Sequence, residues 1–288
     1  MANAQKITSI LEIIDVNDGN RTIVKEFPYL IEAPNWTMDG KWLIFNSEGK
    51  LFRIAADAPS EEAQEIYTGF ATNCNNDHVL SFDGESIAIS HGTAEDHASR
   101  IYTLPIEGGD PTLITPIAPS YLHGWSPDKK MLAYCAGRKG NMDIYVIPAI
   151  GGKEIRLTDA EGLDDGPEYS PCGEYIWFNS VRSGLMQVWR MKADGSQQTQ
   201  MTFDEHLNAW FPHISPDGTT VCYIAYYKGD LEPGEHLANK NVELRLMSTE
   251  GGETSTLLKL FGGQGTINVN SWAPDSKRLA FVSYRLEE

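Results

Sequence analysis

The chain has 288 residues, 41% of them hydrophobic and 22% charged, a balance that belongs to an ordinary globular protein. Its formal net charge of −17 excludes nucleic acid and anionic membrane surfaces as partners, because both call for a basic footprint on the protein. No apolar run reaches spanning length, so no membrane insertion is expected. The opening MANAQKITSI has no signal-peptide core, which places the chain in the cytoplasm, or in the periplasm if a leader precedes it.

The first predicted elements are two strands, KITSILEIIDV and RTIVKEFP, on either side of the turn residues NDGN. Six copies of a turn phrase follow: NWTMDGK from Asn35, VLSFDGE from Val79, GWSPDKK from Gly124, EYSPCGE from Glu168, HISPDGT from His213 and SWAPDSK from Ser271. Their fifth residues are Asp39, Asp83, Asp128, Cys172, Asp217 and Asp275, spaced by 44, 45, 44, 45 and 58. A period of about 40 to 50 residues is that of a four-stranded propeller blade. After each phrase comes an apolar run such as MLAYCAG or EYIWFNS, and in most units an aromatic or apolar run such as DIYVIPA and a short closing strand such as EIRLT. β-Branched and aromatic runs between Pro, Asp and Gly turns read as strands.

The phrase has a local logic. Asp hydrogen-bonds its own backbone, Gly accepts positive φ and Pro presets the turn entry. Trp36, Trp125, Tyr169 and Trp272 all precede the fifth residue of their phrase by three positions, where a large ring packs between neighbouring blades. Cys74, Cys135, Cys172 and Cys222 are too scattered for a zinc knuckle and read as reduced, mostly buried thiols.

Strand counting closes the ring. After the sixth phrase only RLAFVSYRLEE remains, enough for two strands, so the two N-terminal strands must complete the last blade. The expectation is an all-β fold, a single six-bladed β-propeller over 1–288. Its blades are placed near 28–74, 75–118, 119–163, 164–207, 208–264 and 265–288 plus 1–27.

These phrases resemble the TolB-type propeller repeats, whose pattern is a Trp-Ser-Pro-Asp-Gly-Lys turn, an Ile-Ala-Phe strand, an Ile-Tyr strand and a closing Leu-Thr. The likeness spans essentially the whole chain and is clearest in GWSPDKKMLAYCAGRKGNMDIYVIPAIGGKEIRLT. The resemblance implies a six-bladed propeller that acts as a binding module. TolB itself has an extra N-terminal domain and is periplasmic, so a Tol-Pal transport role does not carry over. The phrases are also similar to those of the oligogalacturonate lyases, seven-bladed propellers with a His-rich manganese site.

The turn phrases share one face of the ring, and the loops entering each first strand share the other. That second face holds the candidate site. His78 and His123 stand five positions before the turn Asp, Asn270 holds that position in the sixth unit, and His213 and Glu168 stand four before the fifth residue. Asn76, Asp77, Asp164, Asp165, Asn208 and Asn268 come just before them. His78, His123 and His213 form a candidate divalent-metal set, for manganese, zinc or calcium, through neutral imidazoles. The alternative is that each histidine only bonds its neighbouring loop.

Trp210, which reads as part of an entry loop, is a candidate stacking surface for a sugar ring beside Asn208. Arg138 and Arg182, in equivalent loops, are candidate clamps for an anion. An insertion, YYKGDLEPGEHLANKN, accounts for the 58-residue spacing and brings His236 as a lid or binding loop.

Two functions compete. One is a module that binds a small polar ligand, an oligosaccharide or a protein or peptide partner. The other, implied by the lyase resemblance, is a metal-dependent uronate lyase with a histidine as base and Arg138 or Arg182 holding the acid. The chain departs from that family in lacking a seventh blade and a close His-x-His pair. No Gly-x-Ser-x-Gly nucleophile motif is present, which excludes a prolyl oligopeptidase-type hydrolase domain.

Overall fold

In the computed structural model, which describes residues 6–58 and 61–286, the turn phrases fold alike for a local reason. Asp39, Asp83, Asp128, Asp217 and Asp275 each accept the backbone N–H two residues on, at 2.9 to 3.2 Å. Thr37, Ser81, Ser126 and Ser215 donate their hydroxyls to the same carboxylates at 2.6 to 2.7 Å. Gly40, Gly84, Gly173 and Gly218 then take φ of 71 to 75°. Where Gly is replaced, Lys129 and Ser276 adopt the same left-handed conformation at 61 and 58°.

Between these turns the regular elements among the described residues are all strands. The N-terminal pair is β1 (Ile7–Asp15) and β2 (Arg21–Phe27). Blade 1 contains β3 (Glu32–Trp36), β4 (Trp42–Ser47), β5 (Lys50–Ala55) and β6 (Gln64–Ile66); blade 2, β7 (Cys74–Leu80), β8 (Ser86–Gly92), β9 (Ser99–Pro105) and β10 (Thr112–Leu113). Blade 3 contains β11 (Ser120–Trp125), β12 (Met131–Arg138), β13 (Asn141–Pro148) and β14 (Ile155–Arg156); blade 4, β15 (Asp164–Tyr169), β16 (Tyr175–Ser183), β17 (Leu185–Lys192) and β18 (Thr199–Gln200). Blade 5 contains β19 (Leu207–Ile214), β20 (Thr220–Tyr227), β21 (Ala238–Ser248) and β22 (Thr254–Gly263).

The sixth blade is closed from both ends of the chain, as expected, although RLAFVSYRLEE supplies one strand where two were expected. β23 (Arg278–Leu286) pairs antiparallel with β1, from Ile7 opposite Leu286 to Asp15 opposite Arg278, and β2 completes the outer edge. Its inner segment, 266–272, bonds to β23 through the Ala280 N–H on the Ser271 carbonyl at 2.9 Å and the Val282 N–H on the Thr266 carbonyl at 3.2 Å. Blade 6 meets blade 1 where Asn35 Nδ2 donates to the Asn270 carbonyl and Ser271 Oγ to the Pro34 carbonyl, both at 2.5 Å. β23 is thereby paired on both sides at the seam.

The core lies between blades. Trp36, Trp125, Tyr169 and Trp272 are buried, and two of them reach the preceding blade through their indole N–H: Trp125 to the Val79 carbonyl and Trp272 to the His213 carbonyl, each at 3.0 Å. The packing role read for these rings from their register is the one they have.

The insertion differs from its expected form. Part of it lengthens the outer hairpin, since β21 and β22 have 11 and 10 residues, and only 228–237 form a loop. Tyr226 and Tyr227 close β20, and Ala238 to Asn241 open β21, because paired strands satisfy backbone groups that a loop would leave to water.

Candidate functional site

Each of the first strands β3, β7, β11, β15 and β19 contains a β-bulge just above its turn phrase. Bulges re-aim side chains. In β19 the bulge holds Phe211 at a φ of 53°, in β15 Gly166 at 62° and in β3 Ala33 at 56°, all six positions before the fifth residue of their phrase. For Gly this is free, whereas for Phe it costs about 1–2 kcal/mol. Asn179 Oδ1 holds the strained residue by accepting its N–H at 3.0 Å.

Phe211 is one wall of a cavity of about 370 Å³ at the channel mouth, on the face of the entry loops. Asp77 from β7, Tyr121 and His123 from β11 and Asp165 from β15 supply the polar wall. His236 descends from the 228–237 loop, its ring 5.1 Å from Phe211 and 4.4 Å from Trp210. His123 stacks on the other side of Phe211 at 5.8 Å.

The electrostatics follow from burial and pairing. Burial pushes the Asp77 carboxyl up to about 6, against the opposing pull of His123 and a hydrogen bond from Asn75. His123 Nε2 lies 3.2 Å from Asp165 Oδ1. Burial alone would lower the His123 pKa, but Asp165, Asp77 and Glu168 outweigh it and leave it above the ordinary value. Burial likewise works to raise Asp165, but His123, His236 and the Gly166 N–H hold it below the usual carboxylate range. His236 is lowered, chiefly by burial. The mouth thus presents buried carboxylates, one paired imidazole and one imidazole that sheds its proton readily.

The three histidines proposed as a metal set are not brought together. His213 has both ring nitrogens engaged, Nδ1 2.7 Å from Glu168 Oε2 and Nε2 2.5 Å from the Ile267 carbonyl. His78 is fully buried beside the Ala33 and Ile44 backbone, its ring nitrogens lack a hydrogen-bond partner among the described residues, and burial pushes its pKa down to about 4. Among the described residues no group of three His, Cys, Asp or Glu has metal-holding geometry. These residues do not fit a manganese, zinc or calcium site, and His123 alone of the trio lines the mouth.

Other expected residues are held elsewhere. Trp210 lies within β19 rather than in a loop and is fully buried, so its ring offers no face for a sugar. The Arg138 guanidinium is used by Glu154 at 2.9 Å and the Pro119 carbonyl at 2.7 Å. Arg182 binds Asp164 at 2.6 Å, Gln198 at 2.5 Å and Ser180 at 2.8 Å. Both arginines are structural ties between loops, with no donor fork left for an anion. Asn208 Oδ1 accepts the Met186 N–H at 3.0 Å, away from the cavity lining.

Asn76 and Asn268 do line the mouth. Asn76 donates to Glu32 Oε1 at 3.1 Å and Asn268 Oδ1 accepts the Gly265 N–H at 2.6 Å. Glu168 and Asn270 sit deeper, on the floor of an apolar recess of about 220 Å³ at the opposite end of the channel, among Trp36, Trp125, Tyr169 and Trp272.

Tyr121, Phe211, Asn75 and Gln264 line the mouth without having been singled out. A signal for Tyr121 was available. The position seven before the fifth residue reads Glu32, Asn76, Tyr121, Asp165, Trp210 and Asn268, and four of these six line the cavity.

The fold and mouth define the class: a six-bladed β-propeller whose channel opens through a polar pocket walled by first strands and one inserted loop. The model of the TolB beta propeller domain, PD40, matches residues 115–257. The Agrobacterium fabrum (strain C58) uncharacterised protein Atu1656 is 47% identical over 277 residues, covering 96% of this chain and 92% of that one. The solved structure of a putative TolB from Agrobacterium tumefaciens is similar with a TM-score of 0.91 and 46% identity, over 97% of this chain and 99% of that chain. The chain belongs to the TolB-type β-propeller family. TolB from Acinetobacter baumannii shares the fold at a TM-score of 0.70 and 20% identity, over 90% of this chain and 65% of that chain. Oligogalacturonate lyases share it at 12 to 13% identity, a likeness of fold alone.

Proposed function

We propose that this propeller is a binding module whose channel mouth, on the face of the entry loops, receives a segment of a protein partner. The observation that carries the reading is the cavity between β7, β11, β15 and β19, roofed by His236 of the inserted loop. A concave site with a few convergent polar groups at the open end of a ring is where ligands dock. Strain stored at Phe211 supports it, because a bulky left-handed residue persists where a side chain is needed in one place. Membership in the TolB-type family supports a protein as the partner.

The uronate-lyase reading has no observation in its favour. It would need a uronate-binding arginine and a free histidine base beside it, and Arg138, Arg182 and His213 are all committed to internal bonds.

The test is photo-crosslinking in cells of the source organism, with p-benzoylphenylalanine in place of Tyr121 at the mouth and of Met38 at the opposite end. A discrete protein adduct from position 121 and none from 38 is expected. Adducts from 38 alone would move the binding surface to the turn-phrase face.

A further inference from the structure

Three polar atoms in the mouth are left over. Asp77 lies 5% exposed, with Oδ2 taken by Asn75 Nδ2 at 2.5 Å and Oδ1 without a hydrogen-bond partner among the described residues. Asp165 lies 9% exposed; its Oδ1 is taken by the Gly166 N–H at 2.8 Å and by His123, while Oδ2 has none. His123 lies 6% exposed, with Nε2 on Asp165 and Nδ1 without a hydrogen-bond partner among the described residues. All three residues line the same cavity, and no Lys or Arg is among the described residues that line it.

The surroundings carry an excess of negative charge, with Lys139 and Lys228 among the cations of the framing loops. Arg138 and Arg182, the nearest cations by repeat position, are neutralised by Glu154 and Asp164. The loops that frame the mouth add Asp159, Glu161, Asp204, Glu205, Glu232 and Glu235 to a chain whose net charge is −17. Beside the carboxylates the cavity is apolar, with Phe211, Leu163 and Met142 in its wall. A ligand that matches carries positive charge at the tip of an apolar stem.

We propose that the mouth cavity is a recognition pocket for an organic cation, an ammonium or guanidinium on an aliphatic stem, held between Asp77 and Asp165 with its stem along Phe211. The inference rests on the mouth being the binding surface and names its chemistry: the partner segment presents a Lys or Arg side chain. The guanidinium or ammonium donates to Asp77 Oδ1 and Asp165 Oδ2, and a neighbouring carbonyl or hydroxyl oxygen of the ligand reaches His123 Nδ1.

The experiment is calorimetric titration of the full chain with blocked tripeptides, acetyl-Gly-Xaa-Gly-amide, where Xaa is Lys, Arg, norleucine or Glu. Putrescine and n-butylammonium serve as free cations. The expected result is that the Lys or Arg peptide binds at least ten times more tightly than the norleucine peptide, and that Asp77→Asn, which keeps side-chain size, removes the preference. Asp165→Asn is the second variant, checked for an unchanged melting transition. If the free amines bind as tightly as the peptides, the pocket is still a cation site but its ligand is a small amine.

Equal binding of norleucine and Lys peptides overturns the cation inference and leaves the mouth as the binding surface. No heat from any probe at millimolar concentration also overturns it. A preference that survives both variants overturns the assignment to these carboxylates. Failure of the mouth reading itself appears separately, as crosslinks from position 38 and not 121.

Discussion

His213 Nδ1 lies 2.7 Å from Glu168 Oε2, and the other oxygen of that carboxylate accepts the Ile214 N–H at 2.9 Å and Asn270 Nδ2 at 2.7 Å. One side chain thereby ties blades 4, 5 and 6 around the channel. His213 and Ile214 are buried, so removing it strands two polar groups there, while Asn270 Nδ2 keeps the Ile214 carbonyl at 2.9 Å. Glu168→Ala should destabilise the protein by about 3 kcal/mol or more, with Glu168→Gln losing less because it keeps an acceptor. Urea unfolding measures this, and a loss within about 0.5 kcal/mol, the range of an ordinary surface change, would show the network to be dispensable.

His78 predicts a pH dependence of stability. Its folded pKa of about 4 lies below the ordinary value of 6.5, so on acidification the unfolded chain takes the proton first. The stability contributed by the neutral, buried ring is complete above about pH 6.5 and is lost as pH falls towards 4. Between pH 7 and pH 5 this amounts to about 2 kcal/mol. His78→Leu, which also removes two unpartnered ring nitrogens, should flatten that window. Parallel urea midpoints for both proteins from pH 7 to pH 5 would contradict the assignment.

The seam predicts that the N-terminal strands are indispensable. Deleting residues 1 to 26 removes β1 and all of β2 but Phe27, and leaves β23 as an open edge along its length. The truncated chain should aggregate or fail to melt cooperatively. A soluble truncation with a sharp calorimetric transition would mean that the ring does not depend on this closure.

The fourth turn predicts a stabilising change. Cys172 stands where the other five phrases have Asp, and its thiol makes only a 3.3 Å contact with Ser170 Oγ. A carboxylate there would accept both the Ser170 hydroxyl and the Glu174 N–H, as Asp128 does with Ser126 and Lys130. Cys172→Asp should raise stability by about 0.5–1.5 kcal/mol, seen as a higher melting temperature. A lowered melting temperature would mean the exposed thiol has packing that the turn geometry does not reveal.

The architecture was legible because its signals are local and repeated. Asp and Gly at fixed offsets fold the same turn wherever they occur, and the strand count after Asp275 left the ring only one way to close. The site was less legible because bulges intervene. His78 and His123 share a repeat position, yet β7 takes four steps from Cys74 to His78 against two on β8, whereas β11 takes two steps from Leu122 to Gly124 against one on β12. The unequal bulges turn His123 towards the mouth and His78 towards the backbone of blade 1. Trp210 misled for a related reason: an aromatic without counterparts in the repeat reads as exposed, but His236 of the inserted loop covers it.

Hydrogen exchange of the full chain, alone and with the partner captured by crosslinking from position 121, tests the central claim most directly. Slower exchange is predicted at the mouth ends of β7, β11 and β15 and across 228–237, with the turn phrases at 37–41 and 126–130 unchanged. Protection confined to those turn phrases, with the mouth exchanging as in the free protein, would contradict it.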